Sequence, residues 1–217
     1  MKRALGVAVL AFAFAGCRGT VPRASGGPEQ GISAVVIGGR ILGPNGKALP
    51  GRMVINFESE GGRQAQVYRL PVKPGAVLLY HIEPGKYHFA PTRSLFGDHL
   101  PFLRVRIEGR AHPVEFPREI LRKPAVGVRP RKIVPLGLLE ARWTPELPGR
   151  PSELKVALDD SLAARRGLVE SLISDMMNPD APQTLRDNLV SWTHSLEAAL
   201  VDLSSEAERA PLFKPSP

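Results

Sequence analysis

Residues 82–90 read IEPGKYHFA. Pro84 presets φ at about −65° and Gly85 can supply a positive φ, so the pair predicts a type II turn that reverses the chain. Beyond the turn, Tyr87 and Phe89 fall on one face of an extended segment and Lys86 and His88 on the other. A strand that alternates in this way keeps one face in a core and the other in water. The stretch thus predicts a half-buried strand entered from a reversal.

The same logic extends outward in both directions. In FLRVRIE, Phe102, Arg104 and Arg106 share one face, and Leu103, Val105 and Ile107 share the core-facing one. Runs rich in Val, Ile, Tyr and Phe between Gly/Pro turns predict strands at Ala34–Leu42, Met53–Glu58, Gln64–Leu70, Val77–Ile82, Tyr87–Ala90, Phe102–Glu108, His112–Phe116 and Lys132–Trp143. Many short strands at such spacing indicate an all-β sandwich or barrel over residues 32–144.

TPELPGRP, residues 144–151, holds three prolines and forbids a continuous regular element, so 145–151 reads as a linker. The period then changes. From Ser152 to Met177, Leu154, Leu158, Leu162, Leu168, Leu172 and Met176 recur at helical spacing. NPDAPQT interrupts that helix, with Asp180 and Gln183 spaced as a capping box. A second helix follows, in which Leu185, Leu189, Trp192, Leu196, Ala199 and Leu203 form an a/d-type seam. Two helices joined by a short loop predict an antiparallel hairpin over 152–209, with 210–217 as a tail. The seam is either the inner face of the hairpin, packed within the chain, or a docking surface for a partner through Leu189, Trp192 and Leu196.

At the other end, Met1-Lys2-Arg3 precedes twelve uncharged residues, and Ala15-Gly16-Cys17 closes the run with the only cysteine of 217 residues. A basic start, a short apolar core and small residues describe a secretory signal peptide over 1–16. The run is shorter than the roughly 20 residues that cross a bilayer as a helix. Residues 17–31, rich in Gly, Pro and polar side chains, read as a flexible tether with an r.m.s. reach of roughly 20 Å. Phe14-Ala15-Gly16-Cys17 resembles the lipobox of bacterial lipoprotein precursors, with Phe14 where an aliphatic residue is usual. The resemblance implies lipidation of the Cys17 thiol, cleavage between Gly16 and Cys17, and permanent attachment by two or three acyl chains such as palmitate. Arg18 in place of Asp after the cysteine implies, by the same analogy, outer-membrane delivery into the periplasm-facing envelope.

GRILGPNGKALPGRMV, residues 39–54, together with IEPGKYHF, resembles the carboxypeptidase regulatory-like, or transthyretin-like, sandwich domain. Gly39, Ile41, Gly46, Leu49, Gly51, Val54, Ile82, Pro84, Gly85 and Tyr87 match that pattern, whereas Gly43, Ala48 and Arg52 depart from it. The resemblance implies a non-catalytic accessory or binding module. The expected fold class is α+β: an antiparallel sandwich of transthyretin-like or Ig-like form, then an α-helical hairpin.

The net charge of +8 is divided unevenly. Residues 18–150 hold 21 basic and 10 acidic side chains, and residues 151–217 hold 6 and 11. A basic half invites nucleic acid, but an exported, tethered chain without an aromatic-plus-basic RNA motif points away from it. Arg118, Arg122, Lys123, Arg129, Arg131 and Lys132 form a Pro/Gly-interrupted cluster, a candidate contact for lipid phosphates or for the acidic C-terminal part of the same chain. His81 and His88 are expected to face outward near one another, as surface histidines. No three- or four-ligand zinc set, G-x-S-x-G elbow or H-E-x-x-H helix occurs, so no cofactor, metal or catalytic group is expected. The functional expectation is a non-enzymatic interaction or scaffold subunit of an envelope assembly with a protein partner. The alternative is a tethered glycan- or peptidoglycan-binding module.

Overall fold

The computed structural model describes residues 27–61, 65–91, 102–146, 148–149 and 151–209. Cys17, the tether up to residue 26, His99 and the 210–217 tail lie outside these residues. Ten strands occupy Ser33–Leu42 (β1), Gly51–Ser59 (β2), Val67–Val72 (β3), Val77–Ile82 (β4), Gly85–Ala90 (β5), Phe102–Ile107 (β6), Arg110–Glu115 (β7), Val126–Val128 (β8), Ile133–Thr144 (β9) and Glu153–Asp159 (β10). Among the described residues, four α-helices occupy Arg118–Leu121 (α1), Leu162–Met177 (α2), Gln183–Val190 (α3) and Thr193–Arg209 (α4). The fold is mixed α+β, with two sheets of mostly antiparallel strands.

The first sheet runs β10-β9-β1-β4. In the second, β3 flanks one side of β2 while β6 and β5 share the other, and β7 and β8 lie beyond them. The alternation read from the sequence governs which side chains meet. Tyr87 and Phe89 of β5, and Leu103, Val105 and Ile107 of β6, are buried in a core that also takes Val35, Ile37 and Ile41 from β1. Both sheets contribute to this core, so their inner faces meet across it.

β1 reads as a nearly unbroken apolar run because it is covered on both faces. Its alternate residues Ala34 and Val36 point away from the first core into a second one, with Ile133 and with Leu168, Val169, Leu172, Leu189, Trp192, Leu196, Ala199 and Leu203 of the helices. The molecule therefore has three layers: helices, first sheet, second sheet.

Several expectations are corrected. β1 and β9 pair in parallel, so the strand assembly is not wholly antiparallel. Their register skips Leu136, which leaves a bulge at Pro135–Gly137. Gly137 there has φ 121°, and a Cβ would come 2.4 Å from the Asp159 carbonyl oxygen. The Pro-rich segment after Thr144 links β9 to β10 of the same sheet, and residues 153–159, expected as helix, form that edge strand. α2 starts where Ser161 accepts a hydrogen bond from the Ala164 amide at 3.2 Å. Asp180 does not cap α3, whose N-cap position is Pro182 with no side-chain cap. The expected second helix is broken into α3 and α4, where the Ser191 and Thr193 hydroxyls donate to the Asn188 and Val190 carbonyls and compete with the backbone for them.

Candidate functional site

The loop from Val128 to Ile133 carries half of the predicted basic cluster and is pinned through its carbonyls. Ser33 Oγ donates to the Arg129 carbonyl at 2.7 Å, the Ala34 amide to that of Lys132 at 3.0 Å, and Ser195 Oγ to that of Arg131 at 2.8 Å. Both serines are buried, so these bonds replace water that the loop backbone cannot reach. Arg131 sits at φ 60°, a conformation unfavourable for a bulky residue and held here by its neighbours. The loop is thus fixed beside the start of β1, where the chain enters the domain.

Arg129 and Lys132 line an open cleft of about 520 Å³ with Asp202, Glu206 and Arg209 of α4. Lys132 Nζ pairs with Asp202 Oδ2 at 2.9 Å. Arg165 grips Glu206 through two hydrogen bonds, which keep that carboxyl below its usual range. Lys123 pairs with Asp160 at 2.5 Å. Both lysines therefore meet acids of the C-terminal part. Arg118, Arg122, Arg129 and Arg131 form no ion pair with a described residue. The cluster is split: part of it answers the chain's own acids, and part faces solvent.

The seam expected as a docking surface is internal. Leu189, Trp192 and Leu196 are 2%, 1% and 0% exposed, because the helices lay this face on the outer side of the first sheet. In the folded chain they are covered by its own first sheet rather than offered to a partner. His81 and His88 do not meet either. His81 belongs to β4 of the first sheet, and its ring lies 5.2 Å from that of Trp192. His88 belongs to β5 of the second sheet, opposite Glu58.

Gly85 also has a different role from the one expected. It is not among the glycines with positive φ, and a Cβ there would lie 3.1 Å from Cε2 and 3.3 Å from the hydroxyl of Tyr87. The residue leaves room for the Tyr87 ring, whose hydroxyl donates to the Glu83 carbonyl at 2.8 Å.

Two further surfaces emerge. On the outer face of the second sheet, Arg52 of β2 lies directly opposite Arg106 of β6, with Arg104 two residues along and Arg69 on β3 opposite Asn56. Arg104 and Arg106 alternate visibly with Leu103 and Val105 in the sequence, but only the register brings Arg52 to them. Between β7 and β10, one edge strand from each sheet, an open groove of about 880 Å³ is lined by His112, Glu115, Arg118, Trp143 and Lys155. The His112 and Trp143 rings lie 5.9 Å apart there.

Among the described residues, no three His, Cys, Asp or Glu side chains gather as a metal site, and no helix is long and apolar enough to cross a membrane. No protein-family profile matches the chain, and a search of curated proteins gives no match.

Proposed function

We propose that this chain is a bacterial envelope lipoprotein, held at the outer membrane through lipid on Cys17, which acts without catalysis as an interaction subunit of an envelope assembly. Its folded part is a transthyretin-like sandwich, with the helices as a layer added to one sheet. One observation carries the reading. The hydrogen bonds from Ser33 and Ala34 hold the Arg129–Lys132 loop against the point where the chain arrives from residues 17–31. A domain tethered there presents Arg129 and Arg131 toward whatever lies near the anchor. Facing the acidic groups of a partner beside the anchor, these arginines add to the hold of acyl chains whose buried methylenes each contribute ~0.8 kcal/mol.

The anchor is tested with Cys17→Ser. The variant should stay unprocessed and take up no labelled palmitate; normal maturation would refute the reading. For the partner, detergent-solubilised envelope should yield a protein in fixed ratio to this chain, and Arg129→Glu with Arg131→Glu should abolish its recovery.

A second reading, a glycan- or peptidoglycan-binding module, draws on the groove between β7 and β10. Its lining holds the half-buried Trp143 ring with charged groups around it, a composition suited to a sugar. Cosedimentation with purified sacculi that Trp143→Ala removes would favour this reading over the first.

A further inference from the structure

The outer face of the second sheet combines three properties that are costly to keep without a counterpart. First, Arg52 and Arg106 are registered directly opposite on neighbouring antiparallel strands, where like charges repel. Second, neither they nor Arg69 and Arg104 form an ion pair with a described residue, although all four are exposed. Third, the only acids carried by strands on this face are Glu58, which is buried, and Glu115, registered opposite Phe102 on β7. Lys86 of β5 adds another outward cation, since its neighbours Tyr87 and Phe89 point into the core.

The far side of the molecule has the opposite sign. α2, α3 and α4, which cover the first sheet, carry seven acidic and four basic residues. A body that is basic on one layer and acidic on the other turns its basic layer toward an anionic surface, because the field acts over about a Debye length. The composition of the face narrows the choice of surface. All four arginines are exposed, and they surround Val54, Asn56 and Glu58 of β2, which are buried on the same side. Phe102, half-buried, lies in the same outward row as Arg104 and Arg106. Exposed cations in one row with an aromatic ring match the headgroup region of a bilayer, which accepts charge and ring together.

We propose that the arginine face of the second sheet, with Arg52, Arg104 and Arg106 at its centre, docks on the phosphate headgroups of an anionic lipid bilayer, with the helical layer turned away. The inference extends the membrane-bound reading to an orientation, but it rests on the arginine geometry alone. The anchor is judged separately, by lipid incorporation at Cys17.

The test uses the full chain with Cys17→Ser, so that no covalent lipid is present, and flotation with phosphatidylcholine vesicles with or without an equal share of phosphatidylglycerol. The N-terminal apolar run is common to every variant. The parent should favour the anionic vesicles, and molar salt, with a Debye length of about 3 Å, should remove the preference. Arg52→Gln with Arg104→Gln and Arg106→Gln should cut it by roughly a hundredfold, about fivefold per charge. Lys155→Gln with Arg166→Gln and Arg209→Gln, equal in charge but carried by β10 and the helices, should retain most of it. Circular dichroism should show the arginine variant folded, because its changes lie outside the core; if it unfolds, Arg52→Gln alone should still give about a fivefold loss. Three results would overturn the assignment. One is a preference untouched by the arginine changes; another is equal loss in both triple variants. The third is absent vesicle binding with arginine-dependent retention on cell-wall sacculi, which would give the face to an acidic wall polymer instead.

Discussion

Tyr87 gathers much of the second sheet's core around one side chain. Its ring stacks on Phe57 at a centroid distance of 5.1 Å and meets Tyr68 edge-on at 5.7 Å, while its hydroxyl reaches the Glu83 carbonyl. Burial, reinforced by Tyr68, pushes its phenol well above the ordinary range. The stretch that predicts the strand also marks Gly85 as special, but local sequence cannot say whether a glycine serves an unusual φ or an approaching ring. Gly51 belongs to the second kind more severely. A Cβ there would lie 2.1 Å from the Arg106 carbonyl oxygen and 2.6 Å from Ile41 Cδ1. At Gly85 the obstacle is a ring edge that can shift by a few tenths of an ångström; at Gly51 it is the backbone of the neighbouring strand. Gly85→Ala should therefore cost about 1 kcal/mol and Gly51→Ala about 2–4 kcal/mol, in the range of overpacked cores. Urea titrations of the two variants measure the order, and a Gly85→Ala penalty equal to or above that of Gly51→Ala would contradict it.

Between elements, the parallel pairing of β1 with β9 is clasped from the helix side by Glu140. Its carboxylate accepts from Arg40 on β1, its registered partner, and from Arg142 on β9. Burial raises the carboxyl pKa, yet the hydrogen bonds from Arg142 and Arg40 outweigh it and hold the group below its ordinary value. A depressed pKa stabilises the fold above the unfolded-state value, and the benefit fades as pH falls through the folded-state value. Stability should thus decline below about pH 4, and Glu140→Gln should flatten that part of the profile. At neutral pH the variant should lose roughly 1 kcal/mol, a modest figure because Arg40 and Arg142 are 48% and 72% exposed. Thermal melts across acidic pH read both effects; an unchanged acid limb would remove Glu140 from the account. The strands themselves are largely legible, since each of the eight expected runs overlaps an observed strand, although β3 opens at Val67 and Gln64 lies outside the described residues. β10 is not, because Leu154 and Leu158 satisfy periods of two and of four alike, and only Val156, buried between them, separates strand from helix. β8 is too short to show a period, and the α3–α4 break hides inside an unbroken seam. The parallel pairing leaves only an indirect trace, the continuous apolar runs of β1 and β9.

At the scale of the whole molecule, the first sheet is a shared wall. Val35 and Ile37 pack into one core and Ala34 and Val36 into the other, so neither core can lose β1 without exposing the second. The basic loop ties the layers again through Ser195 of α4 and Ser33 of β1. The helices are therefore expected to unfold together with the sheets in one transition, as small domains with a common core do. The chain supplies its own reporters, because its two tryptophans fall on different cores. Trp143 packs at the edge of the first, and Trp192, with His81 beside its ring, lies within the second. With Trp143→Phe the fluorescence follows Trp192 alone, and with Trp192→Phe it follows Trp143. In each variant the fluorescence midpoint in urea should coincide with the midpoint of that variant's far-UV circular dichroism. If the Trp192 signal is lost at lower urea than the dichroism of the same variant, the helices detach from an intact sheet pair. The seam of Leu189, Trp192 and Leu196 would then be accessible in a partly unfolded state, and the wall shared through β1 would not couple the two cores.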